Sequence, residues 1–257
     1  MRVVAYTERG PARDHDEDAL FVMGCAILGC SMGAPATLDA EASAGLLAVI
    51  DGMGGHEGGE RAARLVALSL LEDDGSWDVS MEAGKRRIAH ALERAVRHIA
   101  RAAAEDPALA DMGAAVAGVA LCSDGALAFN CGDCRVYGER WGYLERLTRD
   151  HSIVQELLER GEIDEDGMRA HPRKNILTAC VSADASFLDV RFRTMPWDEA
   201  RRIFICSDGV WEALSLEEME ACLRDAPSRE AGEALARALH APGGKRRDDA
   251  SFIIASA

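Results

Sequence analysis

Acidic residues stand at the ends of several apolar runs in this sequence, close to glycine or another residue that permits a tight turn. The full set is Asp18, Asp51, Asp133, Asp208, Asp248 and Asp249. A lone buried carboxylate is unfavourable without a partner cation. Several carboxylates that converge from separate strand ends would repel one another unless a divalent metal ion lay among them. Oxygen ligands without a His or Cys cluster favour Mg²⁺ or Mn²⁺ over Zn²⁺, so the pattern predicts a centre for one of these ions.

Each of these residues, taken alone, also has a simpler interpretation. Asp51-Gly52 is typical of an ordinary turn, and Asp133 could cap a loop. Asp208 could N-cap a helix near Trp211, and a dipeptide such as 248–249 is commonly a solvated charge pair. The ordered set along the chain, rather than any one member, favours the metal-site hypothesis.

The hydrophobic pattern predicts the elements that must carry these residues. In the segment 81–104, Ile88, Leu92, Ala95 and Ile99 recur at spacings of 4, 3 and 4, which is one face of a helix. Arg86, Arg87, Arg94 and Arg101 fall among its solvated positions. The predicted helices are 60–71, 81–104, 152–160, 216–223 and 229–240, and the predicted strands are 2–7, 19–28, 46–50, 114–122, 126–131, 135–139, 187–193, 202–206 and 251–255.

The order of these elements indicates the fold class. Strands, two long helices, a strand meander and then mixed elements do not show the regular alternation of a parallel doubly wound sheet. A sheet core with helices packed outside fits better. The Gly-, Ala- and Ser-rich segment 29–45 is predicted to be a variable loop, and we expect one domain over 1–257.

Composition excludes several functional classes. The chain has 257 residues, 48% of them hydrophobic, and 44 acidic against 29 basic residues give a net charge of −15. A fold-wide basic surface is absent, so neither nucleic acid nor an anionic membrane is an expected partner. The sequence has no run of 18 apolar residues and no secretory h-region at its start, and most of its eight Cys lie in apolar runs. These features predict a reduced, cytoplasmic protein.

Cys131 and Cys134 form a C-x-x-C pair. A zinc or redox site would need a second pair or a thioredoxin-like context. Residues three apart on a strand also point to opposite faces, so a structural interpretation is favoured.

In chain order, these stretches together resemble the metal-dependent Ser/Thr protein phosphatases of the PPM (PP2C-like) family, in particular its bacterial branch. The matching segments are RDHDEDAL (13–20), VIDGMGGHEGGERAA (49–63), CGDCRVY (131–137), LTRDHSIVQELLERGEI (147–163), HPRKNILTA (171–179), ICSDGVWEALS (205–215) and DDASFII (248–254). The resemblance implies an α+β fold, a four-layer α-β-β-α sandwich with two mostly antiparallel central sheets.

The same resemblance implies roles for individual residues. Asp51 would bridge two Mn²⁺ or Mg²⁺ ions, and the Gly52 carbonyl would be a further ligand. Asp208 and Asp248 would complete the first site, and Asp133 with Asp208 would hold a third, weaker ion. Arg13 would clamp the substrate phosphate. Glu17 and Asp18 would order metal-bound waters, and Asp249 would lie beside the last ligand. The segment 161–173 would be a mobile flap.

The function implied is hydrolysis of phosphoserine or phosphothreonine in proteins, by attack of a water that bridges the two ions. We expect a monomer that opposes a cytoplasmic Ser/Thr kinase. Two alternatives stay open: a weak or inactive phosphoprotein-binding module, and a hydrolase of small phosphoesters. Asp249 replaces the usual Asn, and Met53 stands where eukaryotic members often have a His. For His56, loop packing or helix capping is favoured over catalysis.

Overall fold

Two β-sheets form the centre of the molecule. The computed structural model describes residues 1–39, 44–54, 57–72, 75–196, 201–241 and 248–256. Its strands, in chain order, are β1 (Arg2–Glu8), β2 (Asp18–Val22), β3 (Cys25–Leu28), β4 (Ala36–Asp39), β5 (Gly45–Met53), β6 (Gly113–Cys122), β7 (Gly125–Cys131), β8 (Arg135–Arg140), β9 (Tyr143–Arg146), β10 (Val181–Ser182), β11 (Arg191–Met195), β12 (Arg202–Cys206) and β13 (Ala250–Ser256).

The strands pair antiparallel throughout the described residues. One sheet has the order β4-β1-β13-β12-β8-β9. The other has the order β11-β7-β6-β5-β2-β3, with β10 paired to β6. Neighbouring strands in each sheet often come from distant parts of the sequence, which brings segments far apart in the chain to the same sheet edge.

Helices cover the outer face of each sheet. The helices are α1 (Gly58–Leu71), α2 (Met81–Glu105), α3 (Ile153–Glu159), α4 (Glu165–Ala170), α5 (Asp208–Trp211), α6 (Leu216–Leu223) and α7 (Ser228–Leu239). Helices α1 and α2 pack on the second sheet, and α5, α6 and α7 pack on the first. A third apolar cluster fills the space between the sheets. The predicted four-layer α-β-β-α sandwich is confirmed.

The apolar runs of the sequence follow from this layering. In β5, Leu46, Ala48 and Ile50 face the helices, whereas Leu47 and Val49 face the other sheet. Side chains alternate between the two faces of a strand, and here both faces are buried. Such a strand is therefore apolar at every position rather than at every second one.

The predicted face of α2 is also confirmed. Ile88, Leu92, Ala95 and Ile99 are buried in the outer cluster. The helix begins at Ser80, whose hydroxyl accepts a hydrogen bond from the backbone N–H of Ala83. No helix in the described part of the chain is long and apolar enough to cross a membrane.

Several predicted boundaries were wrong. Residues 19–28 form two strands joined by a tight turn, in which Met23 and Gly24 have φ of 52° and 85°. The strand predicted at 187–193 lies at 191–195, and a 3-10 turn occupies Ala185–Phe187. The predicted loop 29–45 contains β4, the segment 161–173 contains α4, and β9 was not predicted.

Candidate metal centre

The first two carboxylates of the candidate site lie on adjacent strands. In the pairing of β2 with β5, Asp18 is directly opposite Asp51. Asp18 is buried and accepts a hydrogen bond of 2.9 Å from the hydroxyl of Ser207, the residue before α5. Ser207 thus links the second sheet to the end of β12 in the first sheet.

Close backbone packing places Asp208 beside Asp248. Asp208 is the first residue of α5 and is separated from β12 only by Ser207, while Asp248 precedes β13. A Cβ atom added to Gly209 would lie 1.8 Å from the carbonyl oxygen of Asp249, so only glycine permits this approach. Asp51, Asp208 and Asp248 are all partly exposed, so solvent reaches them.

Asp133 lies in the turn between β7 and β8. Gly132, the residue before it, has φ of +110°, and an added Cβ there would lie 2.4 Å from the Cβ of Ala115. The turn therefore needs glycine for both its conformation and its packing. The indole N–H of Trp211 donates to the Asp133 carbonyl at 3.1 Å, which fixes the turn against α5.

The carboxylates repel one another. Burial, followed by the charges of Asp208 and Asp18, raises the pKa of Asp51 well above its usual range. Burial and the charge of Asp248 raise the pKa of Asp208 to about 7. The pKa values of Asp18 and Asp133 are raised in the same way, mainly by burial. These mutual effects show that the strand ends bring the carboxylates within electrostatic range of one another.

Arg13 forms hydrogen bonds with members of this acidic cluster. Its Nε and Nη2 donate to the two oxygens of Asp248, both at 2.8 Å, and its Nη1 donates to Glu17 at 3.0 Å. The hydrogen bonds to Asp248 are the main reason that the pKa of Arg13 is raised. The predicted phosphate clamp is thus next to the carboxylates, but its planar fork is bound to a predicted metal ligand.

The Asp249 carboxylate holds the loop that carries Arg13. Its Oδ1 accepts from the backbone N–H of Gly10 at 2.6 Å, and its Oδ2 accepts from that of Glu17 at 2.7 Å. Both carboxylate oxygens are therefore used, whereas an Asn would offer one acceptor oxygen. This geometry gives a reason for Asp at a position where Asn is usual.

Gly52 and Glu17 contact each other and both lie next to Gly59 at the start of α1. The Gly52 backbone N–H donates to the Glu17 carbonyl at 3.2 Å. A Cβ added to Gly59 would lie 2.7 Å from Glu17 Oε2 and 2.8 Å from the Gly52 carbonyl oxygen. The start of α1 thus packs where the Glu17 side chain and the Gly52 carbonyl converge. His56, also considered in the sequence, lies outside the described residues.

The donor set fits a hard divalent cation. It consists of carboxylate and carbonyl oxygens, and their mutual repulsion is of the kind that a cation would relieve. In the described part of the chain, no group of three or more His, Cys, Asp or Glu side chains is arranged to hold a metal ion. Arg13 binds Asp248, so that side chain would have to leave the guanidinium to become a ligand.

The sequence reasoning assigned no role to a buried network behind Asp133. Arg135 donates to both oxygens of Asp150, with Nη2 at 2.6 Å, and its guanidinium lies 3.6 Å from the Trp211 ring centroid. His151 is also buried, and burial, more than the nearby Arg191, lowers its pKa. The available signal was the polar run Arg149 to Ser152 at the start of the predicted helix 152–160.

A second contact missed from the sequence links the flap to α5. Lys174, just after the predicted flap, forms an ion pair with Glu212. Glu212 follows α5 and raises the pKa of Asp208, whereas Lys174 lowers it. The two residues are 38 positions apart, so no local pattern could reveal the pair.

An open cavity lies beside Arg13. It has a volume of about 520 Å³ and extends from the loop that carries Arg13 to the start of α1 and the 3-10 turn Pro107–Leu109. Its lining includes Arg13, Glu17, Glu57 and Asp106. A substrate that reached Arg13 through this opening would approach the carboxylates from the solvent side.

Comparisons with known proteins test the resemblance seen in the sequence. A sequence model of the family Protein phosphatase 2C matches residues 36–246. The serine/threonine phosphatase stp of Listeria monocytogenes is 28% identical over 223 residues, which cover 85% of this chain and 81% of that protein.

Solved structures share the fold over nearly the whole chain. The Mycobacterium tuberculosis serine/threonine phosphatase PstP/Ppp superposes with a TM-score of 0.79 at 25% identity, over 100% of this chain and 99% of the other. The catalytic domain of PstP in complex with two manganese ions superposes with a TM-score of 0.75 at 24% identity, over 100% and 99% of the two chains. These findings confirm the resemblance and the enzyme class that the motifs predicted. The chain belongs to the protein phosphatase 2C family.

Proposed function

We propose that this protein is a cytoplasmic phosphatase that hydrolyses phosphoserine and phosphothreonine in proteins, with two Mn²⁺ or Mg²⁺ ions in its core site. Family membership supports the reaction class. The substrate would be a phosphoprotein made by a Ser/Thr kinase, and the enzyme would act as a monomer.

The observation that carries the proposal is the set of mutually repelling carboxylates at one edge of both sheets. The charges of four other carboxylates all raise the pKa of Asp51; these are Asp208, Asp18, Asp133 and Asp248. A fold would gain stability by losing such charges, and surplus like charge at one point is typical of a cation-binding functional site.

The ligand assignment is the one that the resemblance to the family implies. Asp51 would be a ligand of both core ions, and the Gly52 carbonyl would be a further ligand. Asp208 and Asp248 would complete the first site, and Asp133 with Asp208 would hold a third, weaker ion. When bound, such ions lower the pKa of water and neutralise charge on a phosphoryl group. Asp18, which is paired with Asp51 across the sheet, and Glu17, which binds Arg13, would orient water.

Arg13 would bind the phosphate. A guanidinium can donate two parallel hydrogen bonds to phosphate oxygens and offset the charge that develops in the transition state. The same two-pronged contact is made to Asp248 here. Binding of phosphate therefore requires Arg13 to turn away from Asp248.

The test is a Mn²⁺-titrated assay on a phosphothreonine peptide with the wild type, Asp208→Asn and Asp225→Asn. Asp225 is exposed, has φ of 55°, a conformation that Asn also adopts, and lies away from the cluster, so Asp225→Asn is the matched control. EDTA should abolish hydrolysis, Mn²⁺ should restore it, and Asp208→Asn should lower kcat by roughly a thousandfold or more because a ligand shared by two ions is lost.

The alternatives give different results in the same assay. A binding module would retain the phosphopeptide and release no phosphate. A small-phosphoester hydrolase would turn over p-nitrophenyl phosphate with a higher kcat/KM than the peptide. Hydrolysis that resists EDTA would contradict the proposed mechanism.

A further inference from the structure

The run Asp150-His151-Ser152 has no part in the proposed reaction, yet the fold buries all three residues. Their exposed fractions are 0%, 2% and 2%. Burial of three consecutive polar residues needs matching partners. Ser152 has one in α3, because its hydroxyl accepts from the backbone N–H of Gln155. Asp150 is bound by Arg135, next to the turn that carries Asp133. His151 contacts that turn and also Asp189, which lies 3.2 Å from its Nε2.

His151 contacts Gly132 from both its backbone and its side chain. The backbone N–H of His151 donates to the Gly132 carbonyl at 2.9 Å. The Gly132 backbone N–H in turn donates to His151 Nδ1 at 3.1 Å. Asn130 adds a third bond, from Nδ2 to the same carbonyl at 3.2 Å. Both polar groups of Gly132 are thus fixed by buried partners.

The next peptide group is fixed from the opposite side. The Trp211 indole N–H donates to the Asp133 carbonyl at 3.1 Å. The Trp211 ring lies against Arg135, which is held by the two oxygens of Asp150. The backbone on either side of the Asp133 Cα is therefore held by His151 and Trp211, and no such bond uses the Asp133 carboxylate itself.

We propose that His151, together with Trp211, is a positioning residue that aims the Asp133 carboxylate at the weakest cation site. The inference rests on the proposed function, because it gives Asp133 a ligand role. Residues that orient a ligand without touching the ion commonly change its affinity by about 10- to 100-fold. Neither His151 nor Trp211 would contact substrate or cation.

The experiment measures Mn²⁺ binding by isothermal titration calorimetry, with Asp133→Asn as reference. His151→Leu removes the acceptor for the Gly132 N–H and keeps a similar volume. We expect it to weaken the last Mn²⁺ site by about 10- to 100-fold, as Asp133→Asn does, and to leave the two tighter sites unchanged. His151→Asn, whose side-chain oxygen can replace Nδ1, should retain most of the wild-type affinity.

A matched control separates positioning from general destabilisation. His98 on α2 makes a comparable contact, 3.2 Å from Nδ1 to the hydroxyl of Ser69 on α1. His98→Leu should leave all Mn²⁺ sites unchanged. Trp211→Phe keeps an aromatic ring on Arg135 but loses the indole N–H, so it should also weaken the weakest Mn²⁺ site. This variant tests the inference even if circular dichroism shows that His151→Leu does not fold.

The remaining outcomes overturn the inference. A wild-type isotherm for a folded His151→Leu variant would do so, as would a change in His98→Leu equal to that in His151→Leu. If only Trp211→Phe can be measured, Mn²⁺ binding equal to that of the wild type would also overturn the inference. If the wild type hydrolyses the phosphopeptide but Asp133→Asn binds Mn²⁺ normally, the inference fails while the proposed function stands. If the wild type neither binds Mn²⁺ nor hydrolyses the peptide, both fail.

Discussion

Arg13 illustrates how a single side chain can serve two partners of opposite kinds. Its fork holds the two oxygens of Asp248, and the side chain is about one-third exposed. A phosphate offers the same paired oxygens, so the guanidinium can exchange one partner for the other without a change in the geometry of its bonds.

Replacement of Arg13 by Ala should therefore raise KM for a phosphopeptide by roughly ten- to a hundredfold, the equivalent of about 1.5–3 kcal/mol for hydrogen bonds to a charged group. We expect kcat to change much less, because this binding is largely shared by the ground and transition states. Steady-state kinetics with saturating Mn²⁺ measures both constants. Arg101→Ala, on the exposed face of α2, is the control. An unchanged KM would remove Arg13 from the phosphate site.

The two thiols of the C-x-x-C pair pack in different apolar clusters, although Cys131 ends β7 and Cys134 lies in the turn before β8 rather than on the same strand. Cys131 belongs to the cluster under α1 and α2, and Cys134 belongs to the cluster between the sheets. Burial raises the pKa of Cys131 to about 12 and that of Cys134 well above its usual value. Both are buried free thiols, and neither is an appreciable thiolate near neutral pH.

Alkylation of the folded protein with iodoacetamide at pH 7.5 should therefore modify the exposed Cys25 and Cys30 and leave Cys131 and Cys134 unmodified. Mass spectrometry of tryptic peptides measures each site, and the same reaction in urea, which should label all four, is the control. Rapid labelling of Cys131 in the folded state would contradict the buried structural role.

At the scale of elements, a comparison of two glycines with positive φ distinguishes the cost of backbone strain from the cost of steric overlap. Gly132 has φ of +110° and would place a Cβ 2.4 Å from that of Ala115, whereas Gly161 has φ of +70° and open space around it. Any L side chain is strained in either conformation, at a cost of roughly 1–2 kcal/mol. Only Gly132 adds a steric overlap with a neighbouring strand.

We expect Gly132→Ala to lower the free energy of unfolding by roughly 1–3 kcal/mol more than Gly161→Ala, since overpacking of a core typically has that cost. Urea unfolding of both variants measures the difference. Equal losses would mean that the β7–β8 turn shifts freely, which would also weaken the argument that its backbone is held in place.

The elements that sequence reasoning found are those with a strong local signal. The α2 face repeats at helical spacing, and β5 is apolar from Leu46 to Ile50 because both its faces are buried there. The hairpin after Val22 was merged into one strand, because apolar Met23 and Cys25 conceal a turn that depends on backbone conformation. Exposed β4 shows no apolar alternation, since its four residues face solvent and its pairing partner β1 is remote in sequence.

The candidate site also contains some residues that the sequence could predict and some contacts that it could not. Asp51, Asp133 and Asp208 could be selected from the sequence because each follows an apolar run or adjoins glycine. Arg135–Asp150, Lys174–Glu212 and the Asp249 bonds to backbone N–H groups could not, because they join positions 15 to 239 residues apart. Such pairs depend on the crossing of strands between sheets, which no local pattern records.

At the scale of the whole molecule, stability and the candidate function reside in different places. Three apolar clusters, two outside the sheets and one between them, hold the layers together. The carboxylates lie at the edge where strands end, and they add unfavourable charge to a chain whose net charge is already −15. Cation binding should therefore stabilise the protein without being needed for it to fold.

The clearest consequence concerns Asp208, whose pKa rises from 3.8 to about 7 on folding. Between these values the folded state binds more protons than the unfolded state, so the stability of the metal-free chain should fall as the pH rises from about 4 to about 7. Above that window the charged side chain opposes folding. Asp208→Asn removes the charge, so at pH 8 in EDTA the variant should be at least as stable as the wild type.

The order should reverse when Mn²⁺ is added. A cation at about one hundred times its Kd stabilises the wild type by about 2.7 kcal/mol, whereas Asp208→Asn should gain little because it lacks a ligand. Urea unfolding at pH 8, in EDTA and in Mn²⁺, measures both states, and Asp225→Asn should follow the wild type in each. Equal gains from Mn²⁺ in the wild type and Asp208→Asn would place the cation elsewhere, because removal of this carboxylate must weaken a site built around it.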